Sequence, residues 1–456
     1  MASMATDSAP RVAAPADRAR AAALLVNPIT LWIGFLLVHL IVGYLALMAP
    51  GARLGDVTTV YRPWALQAQG GFVMGVDAPW VYPIVAIVPI MIPLVFGAQN
   101  YVGSWLTLVL LLNAAAFAVL VFGRHRRNAM AAWWWLAFTL LLGPIALSRL
   151  DTLSVPIVMV GLLWLGLRPR LATVLLTIAT WIKVWPAAVL ASLVIASHHR
   201  WRVVTAAVAT SAVFTVLALT FGAGPNVFSF VTAQGDRGLQ VEAPVSLIWM
   251  WESIGGRQGS YVYYNEPLNT FEVTGDGINT AIALMSPLQA VAVVAIMLIG
   301  IRAARRQQAM TRVLPPLALA LVTALIAFNK VGSPQYMVWL AAPIVLGLAY
   351  QGRAFRTPAI LVAVMAALTQ AFYPYLYDAI LMLNPAMVFV LTVRNVLFFV
   401  LLGWAVWALW RAPTLRRDDE LTPEKASVWP FAIAAQFTAV RSKPARSRAV
   451  RHHERE

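Results

Sequence analysis

The feature that most restricts this chain is a series of apolar blocks, roughly 15 to 25 residues each, separated by short basic or Gly/Pro-containing breaks. A helix rising about 1.5 Å per residue needs about 20 such residues to cross the hydrocarbon core of a bilayer. Blocks of that length, repeated along one chain, predict a bundle of transmembrane helices in which the bundle is itself the domain. Composition agrees. Hydrophobic residues make up 61% and charged residues 11% of the 456 positions, with mean hydropathy +0.75, whereas a soluble domain carries about 25% charged residues. The expected fold is therefore an all-α polytopic membrane protein.

The formal charge of +16 does not indicate nucleic acid, because the basic residues cluster at block ends and in the C-terminal tail, where the positive-inside rule puts them. With no cysteine in the sequence, disulfides, thiolate metal sites and a Cys nucleophile are excluded. Apolar blocks run at about 28–49, 82–97, 102–122, 130–147, 153–167, 171–197 (split at Lys183 and Pro186), 203–221, 286–301, 313–328, 335–350, 357–372 and 386–410. The first is read as a retained helix and not as a cleaved signal, since no clear small-residue cleavage site follows it. Residues 1–27 form an N-terminal cytoplasmic segment, 28–410 the membrane domain, and 411–456 a basic, Pro-containing cytoplasmic tail expected to be disordered.

The basic clusters Arg124–Arg127, Arg168/Arg170, His198–Arg202, Arg302–Arg312, Arg353/Arg356 and Arg411–Arg417 are expected on the cytoplasmic side. Loops 50–81, 222–285 and 329–336 then face outward, with Ser148–Asp151, the Lys183 region and Tyr373–Asp378. The alternation fails only between 82 and 123. Pro83, Pro89 and Pro93 make 82–97 the block expected to re-enter instead of crossing, which leaves about twelve spans. The chain is thus expected to be a multi-pass protein of the cell membrane with its chemistry on the extracytoplasmic side.

On that side stand the candidate groups. Asp56, in Gly55-Asp56-Val57-Thr58-Thr59-Val60-Tyr61-Arg62-Pro63-Trp64, reads either as a helix-capping or solvated carboxylate or as a general base partly desolvated by Tyr61 and Trp64. Asp77 is the nearest rival. Lys183 interrupts an apolar run; it is either an interfacial snorkelling lysine or an intramembrane cation suited to a phosphate. Lys330, in Asn329-Lys330-Val331-Gly332-Ser333-Pro334-Gln335-Tyr336, repeats the theme, and Arg62 is a further candidate for the phosphate. Neither lysine has an obvious carboxylate near it in sequence, while Arg149 and Asp151 are placed to pair with each other. Loop 222–285 carries Arg237, Gln240 and Glu242 together with Trp249, Trp251, Tyr261, Tyr263 and Tyr264, which suit either an interfacial aromatic belt or stacking on sugar rings. There is no nucleotide-binding, zinc-hydrolase or serine-hydrolase motif, and the six histidines form no metal-binding pattern.

In order along the chain, Asp56 with Tyr61 and Trp64, Tyr82-Pro83, Ser148–Asp151, Lys183 with Pro186, Arg237–Glu242, and Lys330 with Ser333-Pro334-Gln335-Tyr336 and Trp339 resemble the glycosyltransferase 87 family, a branch of the GT-C membrane glycosyltransferases. The sequence departs from the family where Ile84 follows Tyr82-Pro83 in place of a second proline, and Ser148–Asp151 matches poorly. The resemblance implies a GT-C-like bundle with Asp56 as catalytic base. It implies a polyprenyl-phosphate sugar, mannose in the actinobacterial members, as co-substrate, its phosphate held by basic residues (Lys183, Lys330, Arg62). The acceptor would be a hydroxyl of a glycolipid or glycan, and the anomeric configuration would invert. Tyr61, Tyr82, Arg149, Asp151, Arg237, Gln240, Glu242, Ser333, Gln335 and Tyr336 would contact substrate. No metal or cofactor is expected; the partners are membrane lipids, the donor and the acceptor, and not nucleic acid. The rival readings are a transporter or flippase, which would place ionisable groups near the midplane and often shows internal repeats, and a non-catalytic scaffold.

Overall fold

A computed structural model describes residues 23–48, 54–122, 125–232, 237–306 and 309–411; the expected tail and most of the N-terminal segment lie outside these residues. The helices that carry the argument are α1 (Pro28–Met48), α2 (Arg62–Gln69), α3 (Tyr101–Val121), α4 (Arg126–Leu142), α5 (Asp151–Trp164), α6 (Pro169–Ile182), α7 (Pro186–Ala196), α8 (Arg200–Thr220), α9 (Leu247–Ile254), α10 (Ile278–Arg305), α11 (Met310–Ala327), α12 (Ala341–Gln351), α13 (Arg356–Phe372) and α14 (Pro385–Arg411). Pro28, Pro169, Pro186 and Pro385 each open a helix, where the missing N–H has no partner to lose.

Eight stretches among the described residues are long and apolar enough to cross a membrane, and four shorter apolar ones accompany them: Ile84–Phe96, α5, α6 and α7. One of the eight, Pro334–Phe372, turns at Gly352–Phe355 between α12 and α13. Helices α1, α8 and α10 leave large apolar side chains such as Leu40, Val213 and Val291 exposed along their length; that pattern fits a lipid surround and would be untenable in water. By contrast α11 is buried almost throughout, and packs against α7, α10, α12 and α14 at the centre of the bundle. Between α1 and α3, Asn113 and the His39 ring share a 3.1 Å hydrogen bond, and the other ring nitrogen meets the Phe35 carbonyl at 2.9 Å.

The proline-rich block behaves as its composition requires. Ile84–Phe96 is a 3-10, α, 3-10 succession, and its roughly 20 Å of helical rise falls short of the roughly 30 Å hydrocarbon core. The Tyr101 hydroxyl donates to the Ile90 carbonyl at 2.8 Å, supplying a partner within the broken stretch. One boundary differs from expectation. α10 begins at Ile278, eight residues before the expected start at 286, so the polar insertion is shorter. That insertion also holds the one β-ladder among the described residues, an antiparallel hairpin of β1 (Tyr261–Asn265) and β2 (Thr270–Thr274). The all-α class holds for the bundle, and this hairpin is confined to the polar insertion. The run Tyr261-Val262-Tyr263-Tyr264 in β1, facing Phe271 and Val273 in β2, is rich in residues that favour strands.

The two ends of the helices carry different groups. At one end Arg127 donates to the Tyr350 carbonyl at 2.9 Å, Gln351 donates to the Thr311 carbonyl at 3.1 Å, and Arg302 lies 3.7 Å from the Trp410 ring centroid. At the other, the segments around Asp56, Arg149, Lys183, Gln240, Lys330 and Tyr373 touch one another.

Candidate functional site

Asp56 opens a π-helical turn, Asp56–Tyr61, that runs into α2. The wide turn brings residue i+5 back over residue i, so the buried Tyr61 hydroxyl stands 3.4 Å from Asp56 Oδ2 and itself accepts the Leu150 N–H at 3.2 Å. The same Oδ2 takes the Arg149 Nε at 3.2 Å. Arg149 is buried, while the Asp56 side chain is 34% exposed, so one member of the pair is fixed and the carboxylate keeps access to its surroundings. Arg149 Nη2 continues to the Tyr373 hydroxyl at 2.7 Å. Burial works against the guanidinium charge, but Asp56, Tyr373 and the neighbouring Tyr61 and Tyr82 together outweigh it and hold Arg149 above its ordinary range.

A second ion pair lies beside the first. α6 ends at Ile182 and α7 restarts at Pro186, leaving Lys183 extended between them. Its Nζ meets Asp151 Oδ2 at 3.2 Å, and the Trp339 indole N–H donates to Asp151 Oδ1 at 2.6 Å. Asp151 is the first residue of α5 and fully buried, where the helix N-terminus also favours a negative charge. Burial opposes the Lys183 charge, yet Asp151 and the Tyr82 and Tyr336 hydroxyls raise it above the usual lysine range. Arg149 and Asp151, placed in sequence to pair with each other, therefore do not, and Lys183, with no obvious carboxylate near it in sequence, finds one through the fold. Arg149 goes to Asp56, and Asp151 goes to Lys183.

Lys183 and Lys330 both line a cavity of about 330 Å³ with Tyr82, Trp185, Tyr336 and Trp339. The Lys183 ammonium sits 4.3 Å from the Tyr82 ring centroid, a cation–π contact. Tyr336, Trp339 and Trp185 form a stack with centroids 4.1 and 5.9 Å apart. Tyr82 faces this cavity on one side and packs edge-on against Trp64 on the other, centroids 5.9 Å apart, so it stands between the lysines and the Asp56–Arg149 pair.

The remaining candidates have other places. Arg62 does not line the cavity. Gln335 is half-buried and also outside the lining. Arg237 does not line the cavity, and its buried Nε has no hydrogen-bond partner among the described residues. Gln240, Glu242 and Ser333 form a latch behind Lys330: Gln240 N–H donates to the Lys330 carbonyl at 3.0 Å and the Ser333 hydroxyl to Gln240 Oε1 at 3.2 Å. Asp77, the rival carboxylate, is exposed and accepts the Val73 N–H at 2.6 Å in its own loop. Trp249 is buried with its N–H on the Asp276 carbonyl at 3.0 Å, so it is a core residue.

Several residues at this end were not singled out from the sequence. Tyr377 donates to Glu242 Oε1 at 2.7 Å, and Asn395 donates to the Glu242 carbonyl at 3.3 Å. Arg394 is 1% exposed inside α14, between the rings of Phe372 and Phe398, and its Nε and Nη2 have no hydrogen-bond partner among the described residues. A lone arginine in an apolar 27-residue helix was the available signal. Burial raises the Glu242 carboxyl above its ordinary range, against the opposing Tyr377 hydrogen bond. A raised carboxyl in the folded state stabilises below the ordinary carboxyl pKa, and that contribution is lost as pH rises through the raised value. Glu242→Gln keeps the Tyr377 acceptor and removes the titration. Its melting temperature in detergent should hold where that of the parent falls on going from acidic to neutral pH; parallel curves would show that Glu242 contributes nothing to this dependence.

Fold and site together define a polytopic helical membrane protein with two ion pairs and a lysine- and aromatic-lined cavity where helix ends meet. Residues 80–247 match the model of glycosyltransferase family 87, a segment that contains Tyr82, Lys183 and Arg237–Glu242. Asp56 precedes the matched segment and Lys330–Tyr336 follows it; the tertiary structure brings both to it. Among solved structures, ArnT from Cupriavidus metallidurans in the apo state aligns over 84% of this chain and 77% of that one, with 16% identity and a TM-score of 0.40. A comparison with curated proteins finds no match.

Proposed function

We propose that this protein is a membrane glycosyltransferase of GT-C type that moves a hexose, mannose by the family resemblance, from a polyprenyl-phosphate donor to a hydroxyl of a glycolipid or glycan at the extracytoplasmic surface. The observation that carries the reading is a partly exposed carboxylate, Asp56, held by Arg149 two residues from the Asp151 that pairs with the cavity's Lys183, in a chain whose residues 80–247 match a glycosyltransferase family. Asp56 Oδ2 is engaged by Arg149 and Tyr61, and Oδ1 is left to receive a proton from the acceptor hydroxyl. The resulting oxygen attacks the anomeric carbon, the bond from that carbon to the phosphate oxygen breaks, and polyprenyl phosphate leaves with inversion. Lys183 and Lys330 stabilise the charge on the departing phosphate. General-base assistance contributes about 10²–10⁴-fold.

Purified protein in proteoliposomes, given polyprenyl-phosphate [¹⁴C]mannose and a membrane lipid extract, should move label to a glycolipid or glycan fraction. Transport of the intact donor without cleavage of the sugar–phosphate bond would instead establish the flippase reading.

The phosphate role has its own test. Lys183→Ala should raise donor KM about 10- to 100-fold, the equivalent of a charge-assisted hydrogen bond of roughly 1.5–3 kcal/mol. It also strands the buried Asp151 charge, which costs stability. Lys183→Ala with Asp151→Asn should restore the melting temperature and leave donor KM high. A double variant with ordinary donor KM would remove the phosphate from Lys183.

A further inference from the structure

The aromatic residues of the polar insertion have no part in the donor chemistry, yet they are arranged with respect to it. Tyr264 and Phe271 are cross-strand partners in the β1–β2 hairpin, with ring centroids 5.0 Å apart. Phe271 lies 6.1 Å from Tyr377, and Tyr377 5.3 Å from Tyr373. The Tyr373 hydroxyl accepts from Arg149, and Arg149 holds Asp56. Four rings thus form an unbroken track from an exposed hairpin to the carboxylate, and none of the four is fully buried: Tyr264 is exposed and the other three are half-buried.

The hairpin is held stiffly. The buried Glu272 carboxylate accepts from the Tyr263 hydroxyl at 2.8 Å and from Asn265 at 3.0 Å. β2 is also tied on its other side to the segment behind Lys330: Val241 N–H donates to the Phe271 carbonyl at 3.1 Å and Val273 N–H to the Leu239 carbonyl at 3.0 Å. The track is fixed to the same backbone that positions the cavity lysine.

We propose that this track binds the acceptor, and that the acceptor is an oligosaccharide chain whose successive sugars pack on Tyr264, Phe271, Tyr377 and Tyr373 with the reactive hydroxyl at Asp56. The proposal rests on the reading of Asp56 as base. A pyranose has an apolar face and a rim of hydroxyls. The track matches both, with rings spaced on the scale of one sugar and the exposed Asn269 side chain, the Tyr264 hydroxyl and the Tyr377 hydroxyl along the rim. An isoprenyl or acyl chain would find its contacts interrupted by those polar groups. Neighbouring rings are tilted or edge-on to one another, with interplanar angles of 49°, 70° and 82°, so the surface suits a chain that turns from sugar to sugar better than a flat ribbon.

The test uses the full-length protein in detergent and four soluble probes: mannose, mannobiose, mannotetraose and maltotetraose, with binding followed by saturation-transfer NMR and intrinsic fluorescence. Affinity should rise with length for at least one of the two sugar series, and Tyr264→Ala should lower tetrasaccharide affinity about tenfold. Tyr264→Phe should keep it, and Tyr261→Ala, an exposed hairpin tyrosine outside the track, should leave it unchanged. Equal binding of mono- and tetrasaccharides in both series, or a Tyr264→Ala variant that is folded by its melting curve and binds as the parent does, would overturn the proposal. So would fluorescence changes at the track with geranylgeraniol in place of the tetrasaccharides. Asp56→Asn should bind tetrasaccharide as the parent does; if that variant also kept full turnover, the base assignment would fail while the track stood.

Discussion

Asp56→Asn should lower turnover by about 10²-fold or more, equivalent to about 2.7 kcal/mol of transition-state stabilisation, with donor binding close to that of the parent. Asparagine is nearly isosteric, and its side-chain oxygen still accepts from the Arg149 Nε and the Tyr61 hydroxyl that reach Oδ2 at 3.2 and 3.4 Å. What it cannot do is take a proton. The lost charge also weakens the Arg149 pair, but the carboxylate is 34% exposed, so screening by solvent keeps that cost near 1 kcal/mol or below. Asp77→Asn should be nearly silent in turnover, because Asp77 serves its own loop through Val73. A folded Asp56→Asn protein with undiminished turnover would falsify the base assignment and favour the transporter reading.

Gly332→Ala should be as damaging from a position that touches no substrate. A Cβ on Gly332 would collide with the backbone nitrogen of Ala243 and the carbonyl carbon and oxygen of Glu242. No side chain can swing aside there; one of two backbone segments has to move. Those segments are joined on either side of the contact by the Gln240–Lys330 and Ser333–Gln240 hydrogen bonds, so separating them draws Lys330 away from the cavity. Overpacking of this kind costs about 1–3 kcal/mol. The expected result is a lower melting temperature and a donor KM raised at least as far as in the Lys183 variants. Gly403→Ala is the control: nothing lies within 4 Å of its Cβ position in α14, and replacing a helical glycine gains up to about 1 kcal/mol. Equal melting temperatures and donor KM for Gly332→Ala and the parent would mean that the close approach of 332 to 242–243 has no part in holding Lys330.

Much of this architecture follows from local properties of the chain. Apolar blocks of membrane length become helices because backbone polar groups in lipid must be satisfied within the segment. Pro186 restarts a helix and so leaves Lys183 at a junction, and the prolines of 82–97 break that stretch into turns too short to cross. Basic clusters mark one set of helix ends, and Asp56, Lys183 and Lys330 fall at the other set. Each of these needs only the residues within one or two helical turns.

Partnership is a different matter, because it depends on how separate helix ends come to rest against one another. Nothing in the sequence around Ser148–Asp151 distinguishes an Arg149–Asp151 pair from the observed Asp56–Arg149 and Asp151–Lys183 pairs, which join residues 93 and 32 positions apart. The same holds for Arg62, which does not line the cavity, and for the ring track, whose four members come from a hairpin and from the segment after α13. Charge and aromaticity are properties of single residues and can be read along the chain. The distances that turn them into ion pairs, a cavity and a path to Asp56 are set by packing between helices, and only the tertiary structure fixes those.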